Sequence, residues 1–590
     1  MTISEKLTKL RNLMQENSID TYIITKNDPH VSEHAKPYWN GVKFISGFTG
    51  SYGNIMVTKD RAILWTDGRY ALQAELELKD TEFEIFNIAD PVKGNLISFV
   101  SENIKEGGII GFNPKTLLAK QVLDLKSKVS PKNVKLNTDV DLVGELWENK
   151  PSMVESKIFE HDLKYCGVSR ADKIRQVREK MKELGGDIYI ISSLDDIAWL
   201  LNLRCNDFDN NTTFESYVFI SQEEIALFAH EAKISQIKDI LEKGDIQVFD
   251  YKEVKPYILN EVENKTILID PKKTCYEMYE VLENSKIIEL DHDITTNMKA
   301  IKNAVEIENT KSAHLKDGIS FTRFMKWIKE NVGKLEINEY TAGEKIYSFR
   351  KEADTFVYKS FDTICGYMQN GAIVHYRAEE ETALPIKNSG ILLFDSGGNY
   401  LDGTTDITRT IALGEVSEEM KKDFTLVLKG LINLTMVKFL KGSTGAILDV
   451  LARTSLWHEG KDYKHGTGHG IGHFLSVHEG PQSISSRSNV VLEEGMLISN
   501  EPGFYIKDNY GIRSENIILV KKYTETEFGV FLEFETITLA PFDLDLIIVS
   551  MLTDQEVNWL NNYHKEVYEK QSRYLSEEEK EWLKNATKSI

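Results

Sequence analysis

The stretch Gly390–Thr410, GILLFDSGGNYLDGTTDITRT, reads as an apolar strand that ends at Asp395, a glycine-bearing turn, and a second strand that carries Asp406. Antiparallel strands joined by a short connection bring their ends together, so two carboxylates can converge across this hairpin. Asp402 competes for attention, but it stands in LDGTT, where Asp-Gly is ordinary turn chemistry and a ligand role is disfavoured.

Two later stretches extend the constellation. His465–Pro481, HGTGHGIGHFLSVHEGP, places His465, His469, His473 and His478 within fourteen residues of a chain that has thirteen histidines, a density that points to chemistry. A helical HExxH zinc site is excluded, because no Glu follows His465 and glycines at 466, 468, 470 and 472 oppose a helix. An extended glycine-rich segment lets backbone approach a ligand closely. Glu493–Val520, EEGMLISNEPGFYIKDNYGIRSENIILV, then sets Glu501 before a Pro-Gly turn and Glu515 at the start of an apolar strand. Four carboxylates packed together would repel and force protonation of some, so the cluster makes physical sense around cations. Oxygen-rich ligation with one imidazole suits Mn²⁺, or Co²⁺ and Fe²⁺, better than a thiolate-bound structural zinc.

Outward from this region, the N-terminal half repeats one grammar. Leu7–Thr25, LTKLRNLMQENSIDTYIIT, predicts an amphipathic helix, a turn at Asn17-Ser18 and a buried strand. Ser169–Ser192, SRADKIRQVREKMKELGGDIYIIS, predicts a Ser-started helix, a Gly185-Gly186 stop and the strand IYII, which suggests a duplicated α/β domain. Hairpin-like stretches follow each copy, at Asn54–Tyr70 and at Tyr217–His230. We expect domains at 1–155 and 156–305, then an α+β domain at 306–590 built around a sheet.

A chain of 590 residues exceeds the about 250–300 at which one hydrophobic core stops growing. The composition, 41% hydrophobic and 28% charged, is that of a well-packed soluble protein. A net charge of −21 argues against nucleic-acid binding, which needs clustered Lys and Arg. The N-terminal stretch MTISEKLTKLRNLMQENSID lacks the apolar core of a signal peptide, and no window resembles a membrane span. Cys166, Cys205, Cys275 and Cys365 lie far apart without a CxxC pair, which fits a reducing cytoplasm.

The ordered set Asp395, Asp406, His469, Glu501 and Glu515, within DGTTDITRT, HGTGHGIG, VHEGP, NEPGFY and GIRSEN, resembles the pita-bread metallopeptidases, which include methionine aminopeptidase, prolidase and aminopeptidase P. FISGFTGS at Phe44–Ser51, WTDGRYALQAE at Trp65–Glu75, LDDIAWLLNLR at Leu194–Arg204, NGAIVHY at Asn370–Tyr376 and TDQEVNWLNNYH at Thr553–His564 extend the likeness over nearly the whole chain, toward the three-domain cytosolic aminopeptidase P group. WTDGRY serves here as a marker of subfamily, and neither Asp67 nor Arg69 is assigned a catalytic role.

That resemblance implies two creatinase-like α/β domains ahead of a pita-bread catalytic domain with a C-terminal extension. It implies removal of the first residue from peptides whose second residue is proline. Two divalent ions, Mn²⁺ first with Co²⁺, Fe²⁺ or Zn²⁺ as alternatives, would be held by Asp395 on one side and by His469 and Glu501 on the other. Asp406 and Glu515 would bridge them, a water or hydroxide between the ions would be the nucleophile, and Glu501 would carry the proton. His375 and His478 would hydrogen-bond the peptide and the tetrahedral intermediate, His465 would line the proline pocket, and His473 would be structural. Tyr505 and Arg513 would support the metal site or the peptide. A homodimer is expected from the resemblance alone. Prolidase action on X-Pro dipeptides and a non-catalytic binding protein on the same fold are the alternatives.

Overall fold

The structure is a computed structural model that describes residues 1–590 except 34, 89, 91–93 and 152–155. The chain divides into two compact units, residues 1–160 with 168–295, and residues 161–167 with 296–590. The expected end of the first repeat, residue 155, lies outside the described residues.

The first unit holds two six-stranded sheets of one topology. In the first, the spatial order is Phe83–Asn87, Ala62–Thr66, Asn54–Thr58, Thr21–Thr25, Ile109–Phe112, Lys135–Asn137. In the second it is Gln247–Asp250, Ile225–Ala229, Ser216–Ser221, Ile188–Ile191, Thr266–Ile269, Lys286–Glu289. Each has two antiparallel pairings at its centre and parallel pairings outside them.

The repeat is visible residue by residue. Helix Ile3–Glu16 buries Leu7, Leu10 and Met14, and helix Arg170–Leu184 buries Ile174, Val177 and Met181. Each pair of equivalents lies 167 residues apart, as do the strand starts Thr21 and Ile188. Thr2 and Glu5 form a reciprocal cap at the first helix, and Ser169 caps the second. The left-handed Gly185 at φ 73° ends that second helix, a conformation that favours glycine. Both central strands are buried throughout, which accounts for the apolar runs Tyr22–Ile24 and Ile188–Ile191.

The second unit contains the long helix Ala304–Asn331, capped by Asn303. A three-stranded antiparallel sheet places Ile391–Ser396 between Ile364–Tyr367 and Ile407–Ala412. A six-stranded sheet runs Phe439–Leu440, Gly529–Thr536, Asn516–Thr526, Leu497–Asn500, Gly468–Gly470, Glu479–Ile484. Buried Arg409 ties the two sheets together, donating to Asn516 Oδ1 at 2.9 Å, to the Ala540 carbonyl at 2.7 Å and to the Glu515 carbonyl. No helix among the described residues is long and apolar enough to cross a membrane. All four cysteines are free and buried.

Candidate metal centre

Strand register builds the site. Asp395 pairs with Thr408, and the connection expected as a simple turn holds two short strands of another sheet, Gly398–Tyr400 and Gly403–Thr404; Asp406 stands one residue ahead of its strand, beside the end that carries Asp395. Asn500 pairs with Asn516, so Glu501 directly follows one strand and Glu515 directly precedes the other. The Glu515 amide donates to the Thr408 carbonyl at 3.1 Å, which brings the two carboxylate pairs into one place. His469 comes from the neighbouring short strand, where Gly470 pairs with Ile498.

The side chains are arranged for cations. Ligand atoms of Asp406, His469 and Glu515 all lie within 4.8 Å of one another. His469 Nδ1 is 2.9 Å from the Gly470 carbonyl, which only accepts, so Nδ1 carries a proton and Nε2 is the nitrogen that can offer a lone pair to a metal. That Nε2 lies 3.5 Å from Asp406 Oδ2 and 3.3 Å from Glu501 Oε1. Asp395 Oδ1 and Glu515 Oε1 are buried with no hydrogen-bond partner among the described residues. Orphaned buried acceptors cost about 1–3 kcal/mol each, more when charged. A divalent cation satisfies both and relieves the facing lone pairs, so the donor set fits the metals that the sequence implies.

The electrostatics agree. Burial, and then the Glu515 and Asp395 charges, push the Asp406 carboxyl well above the usual carboxylate range. Glu515 is raised for the same reasons, burial first and then Glu501 and Asp395. Glu501 is pushed up to about 7 by burial together with Asp395, against the opposing Arg513 and His478. Ser499 Oγ donates to Glu501 Oε1 at 3.1 Å and accepts from the His469 amide at 2.9 Å, joining two of the five groups.

Arg513 organises the opposite side. Its Nη2 donates to Asp395 Oδ2 at 2.6 Å, its Nη1 to the Tyr505 oxygen at 2.8 Å, and its Nε to Thr408 Oγ1 at 3.2 Å. Thr408 in turn donates to Glu515 Oε2 at 2.9 Å. His465 Nδ1 donates to the Gly466 carbonyl at 2.7 Å, so its Nε2 accepts from the Tyr505 hydroxyl at 2.9 Å. Tyr505, Arg513 and His465 thus form one chain that ends on Asp395. Nothing in the sequence pattern marks Ser499 or Thr408, because strand alternation predicts the face of a residue and not its partner.

The remaining histidines separate. The His478 ring meets the His469 ring edge-on, with centroids 4.4 Å apart. His375 is half-buried in the loop after the short helix Met368–Ala372, and the carbonyl before it, on Val374, accepts from Arg513 Nη1 at 3.4 Å. His473 is buried away from the carboxylates, between Thr310 Oγ1 at 3.2 Å and the Tyr165 carbonyl at 3.0 Å. Asp402 pairs with Lys316 Nζ at 2.7 Å. Asp67 forms a local ion pair with Arg69 at 2.8 Å. The glycines have a reason that the sequence alone does not convey. A Cβ on Gly468 would stand 1.8 Å from the Ser499 carbonyl, and one on Gly470 would stand 2.2 Å from that of Glu479, so both admit neighbouring strands.

Residues 308–522 match the model of metallopeptidase family M24, and 530–590 match the C-terminal region of that peptidase. Residues 6–143 and 149–306 each match a creatinase/prolidase N-terminal domain. Xaa-Pro aminopeptidase 1 of Dictyostelium discoideum is 37% identical over 100% of this chain and 97% of its own length. Aminopeptidase P2 of Arabidopsis thaliana is 37% identical over 100% of this chain and 89% of its own. Among solved structures, the X-prolyl aminopeptidase of Caenorhabditis elegans, described as a cytosolic enzyme with a di-nuclear active site, superimposes with a TM-score of 0.96 at 31% identity over 100% of both chains. A Xaa-Pro dipeptidase of Bacillus anthracis, 25% identical, covers 64% of this chain and 99% of its own, with a TM-score of 0.52.

Proposed function

The chain belongs to metallopeptidase family M24, among its Xaa-Pro aminopeptidases, and we propose that the groups gathered around Asp395, Asp406, His469, Glu501 and Glu515 carry its reaction. It is a metal-dependent aminopeptidase that hydrolyses the bond between an N-terminal residue and a following proline. The observation that carries the site assignment is the convergence of four carboxylates and one imidazole, with Asp395 Oδ1 and Glu515 Oε1 lacking hydrogen-bond partners among the described residues.

Asp395, Asp406, His469, Glu501 and Glu515 would together hold two divalent ions. When bound, such ions supply Lewis acidity and a nucleophilic water at neutral pH. Glu501 would accept a proton from the attacking water and return it to the proline nitrogen as the scissile C–N bond breaks. His375 and His478 donate to the peptide and to the developing oxyanion, where such donors contribute about 10²–10³ in rate. Arg513 keeps Asp395 oriented, and Tyr505 with His465 borders the substrate.

Mn²⁺ is proposed as the resident metal on the oxygen-rich donor set, with Co²⁺, Fe²⁺ and Zn²⁺ as competitors. We place the enzyme in the cytoplasm, in keeping with its four free cysteines, and as a homodimer on family resemblance. The domain limits proposed are 1–155, 156–305 and 306–590. A prolidase reading is disfavoured because the B. anthracis dipeptidase accounts for only 64% of this chain. The deciding experiment is hydrolysis of an X-Pro-X tripeptide against an X-Pro dipeptide, with and without Mn²⁺, alongside Glu501→Ala. Preference for the dipeptide would overturn the substrate assignment. Activity without divalent metal, or in the Glu501 variant, would overturn the site.

A further inference from the structure

One buried carboxylate outside the metal centre has donors converging on it from a single segment. Glu339 is the first residue of helix Glu339–Arg350 and is 0% exposed. Its Oε1 accepts from the Tyr367 amide at 2.8 Å and from Asn370 Nδ2 at 3.1 Å. Its Oε2 accepts from Asn370 Nδ2 at 3.0 Å, the Tyr376 hydroxyl at 2.8 Å and the Leu384 amide at 2.7 Å. All these donors belong to residues 367–384, and they flank His375 on both sides.

We propose that Glu339 is a positioning residue, whose buried carboxylate clamps both arms of the loop that carries His375 and so fixes where that imidazole meets the peptide. This rests on the reading that His375 contacts substrate. An ionised carboxylate is acceptor-only, with about four lone-pair sites, and this donor set uses them fully. A neutral amide there would present a donor to groups that are themselves donors. The positive end of the helix dipole further favours a negative charge at this position.

The clamp acts beside other holds on the loop, among them the exposed Arg377–Asp362 ion pair at 3.2 Å. On the metal side, the Val374 carbonyl accepts from Arg513 Nη1 at 3.4 Å, and Gly511 lies so close that a Cβ there would stand 1.7 Å from the Gly371 carbonyl. Arg513 holds the backbone next to His375, and the Glu339 carboxylate holds Tyr376 on its other side and Leu384 where the loop returns. Releasing Glu339 therefore leaves the metal centre intact and lets the imidazole drift.

The test is a double-mutant cycle on the metal-loaded enzyme with an X-Pro-X peptide, using Glu339→Gln, His375→Ala and the double variant. Metal content and thermal unfolding are measured on each. We expect Glu339→Gln to lower kcat about 10²-fold, the scale of an ångström-level misplacement, with KM and metal per chain unchanged. The double variant should be no slower than His375→Ala by more than about threefold, because residues acting as one unit do not add. Tyr376→Phe removes one of the clamp's donors with little risk to folding, and should lower kcat in the same direction by a smaller factor. Near-normal turnover in Glu339→Gln alongside a crippled His375→Ala would overturn the proposal, as would losses that multiply. Near-normal turnover in His375→Ala would remove the underlying reading, and this proposal with it.

Discussion

Arg513 Nη2 stands 2.6 Å from Asp395 Oδ2, and the same guanidinium reaches Tyr505 and Thr408, so one cation holds a ligand carboxylate and steadies a second, Glu515, through Thr408. Arg513 is 1% and Asp395 7% exposed, so their separation would strand a buried charge. Arg513→Ala should destabilise the metal-stripped protein by about 3–5 kcal/mol, read from urea unfolding after chelation. Arg513→Lys restores the charge but not the fork of donors, and should recover stability better than turnover.

Metal occupancy should distinguish the acids. Asp406→Asn and His469→Ala are expected to lower bound metal below the wild-type stoichiometry and to abolish hydrolysis. Asp402→Asn should keep the metal, since that carboxylate is engaged by Lys316 at 2.7 Å. Elemental analysis of the dialysed variants checks both halves.

Glu501→Gln separates proton transfer from folding. Loss of a positioned acid–base group typically costs about 10²–10⁴-fold, and a drop of that size in kcat is expected at saturating Mn²⁺. The variant should unfold at a temperature close to that of the parent. Retention of more than a tenth of parental kcat under those conditions would count against Glu501 as the proton carrier.

His478 and His473 stand five residues apart in one motif and should behave oppositely. His478→Ala should lower kcat about 10²–10³-fold with metal content kept. His473→Ala takes the ring from Thr310 and leaves the Tyr165 carbonyl to Asn309 Nδ2 at 3.3 Å, at a cost of about 1–3 kcal/mol in stability, while turnover per folded molecule persists. Paired kinetic and thermal measurements on the two variants provide the check.

Acid should act through buried neutral imidazoles. Burial, then the nearby Arg409, pushes His564 down to about 3, and its Nε2 accepts from the Phe542 amide at 3.1 Å, which requires the neutral ring. Burial likewise lowers His314 to about 4. Both folded-state values lie below the unfolded one near 6.5, so the stability they contribute is present above pH 6.5 and is lost as pH falls toward 4. His564→Gln should therefore lose less stability than the parent between pH 7 and 5, in parallel urea titrations.

Much of this was legible without coordinates. The helix-to-strand repeat is written in local periodicity, and the spacing of Leu7, Leu10 and Met14 returns at Ile174, Val177 and Met181 because each helix must cover the same kind of buried strand. The four acids and one imidazole of the candidate centre could be picked out from residue type, from position near strand ends and from the family resemblance. Glu339 did not, because a single Glu at a helix start looks like any acidic first-turn residue.

The sequence by itself determined the order of elements, the duplication and the chemistry of the centre, since turn residues, hydrophobic period and donor type are local properties of a chain. Only the tertiary structure decided partners: Thr408 with Glu515, 107 residues away; Arg513 with Asp395, 118 away; His473 turned into the core while His469 faces the acids. It also decided that Gly468 and Gly470 are needed to admit neighbouring strands. Hydrogen bonds and close approaches across such separations depend on register and on the docking of one sheet against another, which no local pattern encodes.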